Sequence, residues 1–309
     1  MKKIPEIFTS DFKHWFKIEV FRRVIYLFLL INTISLLPIA SDLWAYDGMS
    51  GTRWNAALPI WKQGSTALIN VLSHPANATY TWIYVLFIFG QLFFLVTGIL
   101  RIIPKISAIA VYFFTVNLFL KGALFFTGGE VLLNLILFYL MFIQQSENSR
   151  KWNLSLRIKR DEKIGFSEIQ NVLNHVFYAL ILIQVCVLYF FSTLYKLLDA
   201  NWISGDALTF IARIPAYSGG LLRFLFSENH TLSAIASYAV LIYGGVFSIL
   251  VWIKRIKIPF LLFGVLLHLG IAFGMGIFTF GIVMCLMYIP FLSADQVDTL
   301  LQKLRIRKG

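Results

Sequence analysis

The sequence predicts an all-α, polytopic membrane protein, a helical bundle of about eight transmembrane helices with both termini in the cytosol. Of the 309 residues, 59% are hydrophobic and only 14% are charged, whereas a soluble domain is about 45–50% apolar and about 25% charged. Several stretches of about 18 or more residues run almost without charge, which is the length needed to cross roughly 30 Å of hydrocarbon. Basic residues also alternate between successive loops, as in a membrane protein of fixed orientation.

Eight apolar segments make up most of the chain. Their predicted bounds are 24–43, 81–102, 106–126, 131–143, 172–198, 232–253, 259–273 and 277–292. The last two divide one apolar stretch that is too long for a single ordinary span. Gly270, Gly274 and Gly276 offer the break.

The segments between the spans have their own patterns. Residues 1–23 place Phe8, Phe12, Phe16 and Val20 at four-residue spacing among basic residues, which predicts an in-plane amphipathic arm on the inner surface or, alternatively, a disordered basic tail. This stretch is too polar for a cleavable signal peptide.

Three further segments complete a single domain spanning 1–309. Residues 44–80 carry three tryptophans in a nearly uncharged stretch, which is typical of the membrane interface. Residues 199–230 mix apolar and polar side chains and are predicted to be a loop or a partly re-entrant element. Residues 293–309 form a basic cytosolic tail.

The distribution of basic residues sets the orientation. With the N-terminus inside, 21 of the 27 lysines and arginines fall in inner segments and four in outer loops, while Lys121 and Lys196 lie in or beside spans. The excess alternates correctly through every loop, and this supports both the number of spans and their direction.

Composition also excludes several functions. The net charge of +12 is explained by inner loops that meet anionic lipid, and we expect no nucleic-acid binding because no basic patch lies on a soluble domain. Cys186 and Cys285 lie in apolar segments and are predicted to be free thiols. No spacing predicts a metal site, and no HExxH motif, phosphate-binding loop or nucleophile elbow is present.

Polar side chains gather in the outer half of the predicted bundle, and ionisable residues inside spans are candidates for function. Span five places Lys196 near its outer end, with Ser192 and Tyr189 deeper on the same helix face. Two other spans contribute polar groups at similar depth, and span seven carries a histidine near mid-membrane; these residues are Lys121 and Asn117, Glu130 and Asn134, and His268. The asymmetry predicts a polar site that faces outward.

Each of these residues also has a structural interpretation. Lys121 and Lys196 can extend their amines to the headgroups. Glu130 can cap the N-terminus of span four, where the helix dipole favours an anion. Asn117 and Asn134 can join helices by hydrogen bonds, and His268 can be a packing residue.

Residues 189–197 read YFFSTLYKL, followed by LDANW at 198–202 and then Gly205 and Ala207. This stretch resembles the tyrosine–small–lysine–leucine, tryptophan, glycine signature of the vitamin K-dependent gamma-carboxylase-like transmembrane family, also called the HTTM (horizontally transferred transmembrane) domain. Weaker support comes from Gly128-Gly129-Glu130 before an apolar helix and from His268 followed by Met275, Phe278 and Met284.

The resemblance implies that Lys196 is the base that deprotonates a reduced quinone such as vitamin K or menaquinone, whose oxygenation drives carboxylation, a lyase reaction, in the family's carboxylases. We assign Lys196, His268 and Glu130 as candidate catalytic residues. The candidate substrate-binding residues are Tyr189, Ser192, Trp202, Gly205, Lys121, Asn117 and Asn134.

The chain departs from the animal carboxylases in two ways. About 17 residues follow the last predicted span, where those enzymes carry a large outer region that binds the peptide, and Glu130 stands where they have a histidine. The resemblance is therefore to short bacterial members, one of which matures a secreted peptide. Quinol oxygenation is one expectation, and a non-catalytic quinone- or peptide-binding maturation factor is the alternative. A transporter is disfavoured because the spans lack inverted repeats.

Overall fold

The computed structural model describes residues 12–45, 83–121, 127–143, 164–217 and 219–306, and these residues form helices and turns with no strand. The helices are α1 Trp15–Leu36, α2 Ala40–Trp44, α3 Ile83–Leu100, α4 Pro104–Lys121, α5 Gly128–Phe142, α6 Ile164–Leu197, α7 Ala200–Ser204, α8 Ala207–Arg213, α9 Gly220–Phe226, α10 His230–Leu250, α11 Lys257–Gly274, α12 Phe278–Leu286 and α13 Ala294–Ile306. Short 3-10 turns at Leu37–Ile39 and Ile289–Phe291 follow α1 and α12.

Five of the described helical segments are long and apolar enough to cross a membrane. They are Trp15–Trp44, Ile83–Leu100, Ile169–Leu197, His230–Leu250 and Lys257–Gly274. At most 33% of the residues in the most apolar window of each are buried inside the protein, so most of this apolar surface faces outward. Water does not tolerate contiguous apolar surface on this scale, and the protein is therefore an integral membrane protein.

The chain forms two compact units, residues 1–178 and 179–309, and α6 contributes to both. In the first unit α3 packs against α1 and α4, and α4 packs against α5. In the second, α11 packs against α12, and α10 contacts the short helices α7, α8 and α9.

The predicted break in the last apolar stretch is confirmed. Helix α11 ends at Gly274 and α12 begins at Phe278. Gly276 between them has a φ of +71°, a left-handed conformation that glycine adopts without steric cost. Both cysteines are free thiols, as predicted.

Other expectations need correction. Helix α1 runs without interruption from Trp15 to Leu36, so no helix boundary separates the predicted arm from the first span. Residues 199–230 are not a simple loop, because they contain α7, α8 and α9. The predicted basic tail contains helix α13, whose start is capped by reciprocal hydrogen bonds between Ser293 and Gln296.

Trp44, which begins the predicted interfacial segment, is a buried helix residue instead. It is 4% exposed, and its indole N–H donates to the carbonyl of Leu118 at 3.0 Å. The last turn of a helix leaves carbonyls without partners, and Trp44 supplies a donor to one near the end of α4. Residues 46–80 of the predicted interfacial segment lie outside the described residues.

Candidate functional site

Lys196 lies in the last turn of α6, where the helix geometry brings it against Ser192. Its Nζ donates to Ser192 Oγ at 2.5 Å and lies 3.4 Å from the Ser192 carbonyl oxygen. The spacing of four residues makes this contact possible because such residues are neighbours on a helix surface. The amine also lies 5.3 Å from the ring centroid of Trp202, within the range of a cation–π interaction. The predicted position of Ser192 on the same helix face as Lys196 is confirmed, and the contact with Trp202 is a feature of the folded chain.

Local structure after α6 holds Trp202 in place. The Asp199 carboxylate accepts the N–H of Asn201 at 2.8 Å and so caps α7. Gly205 ends α7 with a φ of +83°. A Cβ on Gly205 would lie 2.8 Å from the Cβ of Ala234 on α10. The carbonyl oxygen of Gly205 accepts a hydrogen bond from the Ser233 hydroxyl at 3.0 Å. Gly205 thus has a structural role in joining α7 to α10, and its predicted contact with substrate stays a prediction.

A buried chain of hydroxyl groups lies deeper in the same unit. Tyr189 on α6 is hydrogen bonded to His268 Nε2 on α11 at 2.6 Å and to the hydroxyl of Tyr288, which follows α12. Tyr243 on α10 donates to the same Tyr288 hydroxyl at 3.0 Å. All four side chains are buried, with exposures of 4–7%. The network therefore joins four segments of the unit through polar groups.

Close packing of small and aromatic residues shapes this network. A Cβ on Gly264 would overlap the hydroxyls of both Tyr243 and Tyr288, so only glycine leaves space for them in α11. Phe247 stacks on the Tyr189 ring with centroids 3.9 Å apart. The network is thus enclosed by apolar groups, where an unpaired polar atom is costly.

The hydroxyl and imidazole groups of the network can be protonated in two arrangements. With a proton on His268 Nδ1, Tyr243 donates to Tyr288, Tyr288 to Tyr189, and Tyr189 to Nε2. With the proton on Nε2, the direction of donation from the imidazole through Tyr189 reverses. In both cases Nδ1 itself has no hydrogen-bond partner among the residues that the structure describes.

The tyrosine network and the contacts of Lys196 share helix α6. Tyr189 and Lys196 lie seven residues, or about two turns, apart on α6. The second unit therefore holds two groups of predicted site residues: Lys196 with Ser192 and Trp202, and Tyr189 with His268.

Of the remaining predicted residues, Gly205 lies in the second unit, and Glu130, Asn117, Asn134 and Lys121 lie in the first. Glu130 forms a capping box at the start of α5, accepting the backbone N–H of Thr127 at 2.8 Å, while the Thr127 hydroxyl accepts the N–H of Gly129 at 3.2 Å. The structural interpretation of Glu130 is thus confirmed. Its catalytic role stays a prediction.

The two asparagines differ in their bonding. Asn117 donates to the carbonyl of Phe113, one turn earlier in its own helix, at 2.8 Å. Asn134 Oδ1 is buried and has no hydrogen-bond partner in the described part of the chain. The side chain of Lys121 lies outside the described residues.

Sequence reasoning missed Tyr243 and Tyr288. Both occur in strongly apolar stretches, where tyrosine is usually assigned to packing or to the interfacial aromatic belt. The only signal was the presence of phenol groups well inside predicted spans, since a buried Tyr hydroxyl usually finds a partner.

Comparison of the chain with protein-family models, with curated proteins and with solved structures found no match. The geometry of the site is therefore the basis for any functional inference, together with the local resemblance at residues 189–207.

Proposed function

We propose that the chain is a short, bacterial-type member of the HTTM family with eight spans, both termini in the cytosol, and its site on the extracytoplasmic side of the cytoplasmic membrane. Besides the five long segments, three shorter apolar helices support this number of spans: Pro104–Leu120, Gly128–Phe142 and Phe278–Phe291. The alternation of basic residues between loops supports the direction.

For this protein we infer a quinol-dependent enzyme in which Lys196 acts as the base, with oxygenation or epoxidation of the quinol coupled to modification of a hydrophobic or secreted peptide. The observation that carries the proposal is the partner set of Lys196. Its amine is half-buried and held by a serine hydroxyl, and no carboxylate in the described part of the chain pairs with it. A carboxylate would hold the ammonium form, whereas a hydroxyl leaves the amine able to exchange a proton.

The donor set fits a quinol headgroup. A bound quinol would supply an acidic hydroxyl and the electrons for reaction with oxygen. Trp202 offers a flat aromatic face beside the Lys196 amine. His268 Nδ1 is a buried polar atom with no hydrogen-bond partner among the described residues, while its other nitrogen leads into the tyrosine chain.

Each residue then has a defined task. Ser192 orients the amine, and Lys196 accepts a proton from the substrate hydroxyl. Tyr189 and His268 redistribute protons behind the amine through the two arrangements of the hydroxyl chain. The surrounding phenylalanines exclude water from that chain.

The test uses purified full-length protein in nanodiscs with reduced menaquinone or vitamin K and oxygen, and quinone epoxide is followed by mass spectrometry. Lys196→Ala is expected to lower the rate at least about 100-fold, as loss of a general base does. Lys196→Arg keeps the charge but removes the base and is expected to fail similarly. Lys254→Ala, which removes an exposed lysine after α10, is the matched control and should retain activity.

Epoxide formation that survives Lys196→Ala would overturn the catalytic proposal. Absence of epoxide in folded wild-type protein would also count against it and would favour the second candidate function, a non-catalytic factor that binds a quinone or a hydrophobic peptide. One observation favours that candidate: the short helices after α6 expose Phe210, and Phe224 at 82% exposure, and Tyr217 beside them is also exposed. Saturable binding without chemical change is its expected signature.

A further inference from the structure

Arg22 in α1 is a buried cation whose role lies outside the proposed function. The residue is 2% exposed. Its Nη2 donates to the carbonyl oxygens of Leu140 and Ile143 at 3.1 and 2.8 Å. These carbonyls belong to the C-terminal end of α5, which carries about half a negative charge. The helix end therefore compensates only part of the guanidinium charge.

Another nitrogen of the Arg22 guanidinium lacks a hydrogen bond. Its Nε is buried and has no hydrogen-bond partner among the residues that the structure describes. Arg22 also lines a cavity of about 230 Å³. The cavity beside this buried cation has space for an anionic group, and a buried charge that is only partly compensated is costly.

A second cation lines the same cavity. Lys105, in the first turn of α4, contributes to its wall together with the amide-bearing Gln170. Lys105 has no ion-pair or hydrogen-bond partner in the described ranges of the chain. Gln170 Nε2 donates to the carbonyl of Phe142 and to Asn174 Oδ1, each at 3.1 Å, so the end of α5 is held from two sides.

Local acidic residues do not neutralise these cations. Glu19 is bound by Arg23 at 3.1 Å and by Arg101 at 3.2 Å. The pKa of Arg101 is lowered, chiefly by burial and also by the charges of Arg23 and Arg22, although Glu19 acts in the opposite direction. Several cations therefore lie near one carboxylate. Among the described residues, no carboxylate lines the cavity.

The remaining walls of the cavity are apolar and include Ala108, Ile109, Met141 and Leu173. We propose that this cavity binds a phosphate-bearing anion, held by Arg22 and Lys105, with the apolar wall beside it. Arginine matches phosphate oxygens by its planar geometry, and lysine adds a point charge. The two sources of such a group are the headgroup of an anionic phospholipid, whose chain the apolar wall would contact, and free phosphate.

The experiment titrates delipidated full-length protein in detergent with phosphatidylglycerol, phosphatidylcholine or inorganic phosphate, measuring bound ligand by native mass spectrometry and thermal stability by tryptophan fluorescence. We expect one phosphatidylglycerol to bind selectively and to raise the melting temperature. Lys105→Gln should weaken that binding about fivefold, and Lys105→Glu should abolish it. Lys105 is exposed and makes no hydrogen bond to any described residue, so both variants should fold.

Lys254→Gln and Lys254→Glu are the matched controls, because they make the same charge changes at an exposed lysine elsewhere in the chain. They should leave the binding unchanged. Inorganic phosphate that competes with the lipid and depends on Lys105 would identify phosphate itself as sufficient, whereas lipid binding alone would identify the phospholipid as the source. Equal effects of the Lys105 and Lys254 variants, or equal binding of the two lipids, would overturn the proposal.

Discussion

Two polar regions of the second unit lie about two turns apart on α6 and differ in how deeply they are buried. At Tyr189 the polar atoms are buried, bonded to one another and enclosed by aromatic rings. At Lys196 the side chain is half-buried, and its amine contacts one serine and lies over the ring of one tryptophan. Both regions are built from the same helix, so the difference comes from what packs against each turn.

The buried network contributes to the stability of the fold, whereas the amine of Lys196 is accessible for chemistry. A buried network is rigid only when its members are satisfied, and removing one partner leaves the others unpaired at high cost. A partly exposed amine can lose its partner to water at little cost. We therefore expect the fold to depend on the tyrosine network and any chemistry to depend on Lys196.

The largest expected effect on stability is at Gly264. The change Gly264→Ala places a methyl group where the Tyr243 and Tyr288 hydroxyls lie, and we expect a loss of about 2 kcal/mol from overpacking. Thermal unfolding in detergent measures it. Gly270→Ala in the same helix is the control, because nothing lies within 4 Å of a Cβ there. Equal stability of the two variants would contradict the close packing of the hydroxyls.

A smaller loss is expected from Tyr288→Phe, which removes the hydroxyl at the centre of the chain while keeping the ring. Both Tyr189 and Tyr243 then lose a partner, and the expected cost is about 1.5 kcal/mol. Tyr195→Phe, at a tyrosine that is 72% exposed on α6, is the matched control and should be near neutral. Lys196→Met should also cost less than about 1 kcal/mol. If Lys196→Met proved more destabilising than Tyr288→Phe, the comparison between the two regions would fail.

The smallest expected effect concerns a histidine whose neutral form is favoured by folding. His14, just before α1, has its pKa lowered to about 4 by burial and by the charges of Lys17 and His175. Because the folded pKa lies below the unfolded value of 6.5, protonation favours the unfolded chain. The stabilising contribution is complete above about pH 6.5 and is lost as the pH falls toward 4.

The measurement is the melting temperature between pH 7.5 and pH 4, compared with that of His14→Gln. The variant should lose less stability over this range, by a modest amount because His14 is partly exposed to solvent. Parallel pH profiles for the two proteins would show that His14 keeps its ordinary pKa.

Several features were predictable because they depend on neighbours in sequence. The apolar stretches predicted helices, and the glycines at 270–276 predicted the break between α11 and α12. The spacing of Ser192 and Lys196 placed them on one helix face, where the structure shows them in contact. The position of Glu130 at the start of an apolar helix allowed a cap of α5, as one of two interpretations. Each follows from helix geometry within about four residues.

The sequence by itself thus determined the helical membrane class, the main helices and the shared helix face of Lys196 and Ser192. Only the tertiary structure decided that Tyr243 and Tyr288 join Tyr189 and His268, and that Arg22 donates to the end of α5. Those contacts join residues 45 to 121 positions apart. The physical reason is that an apolar helix can rotate any face toward its neighbours at similar cost in lipid, so the partner of a buried polar group depends on the packing of the assembled helices.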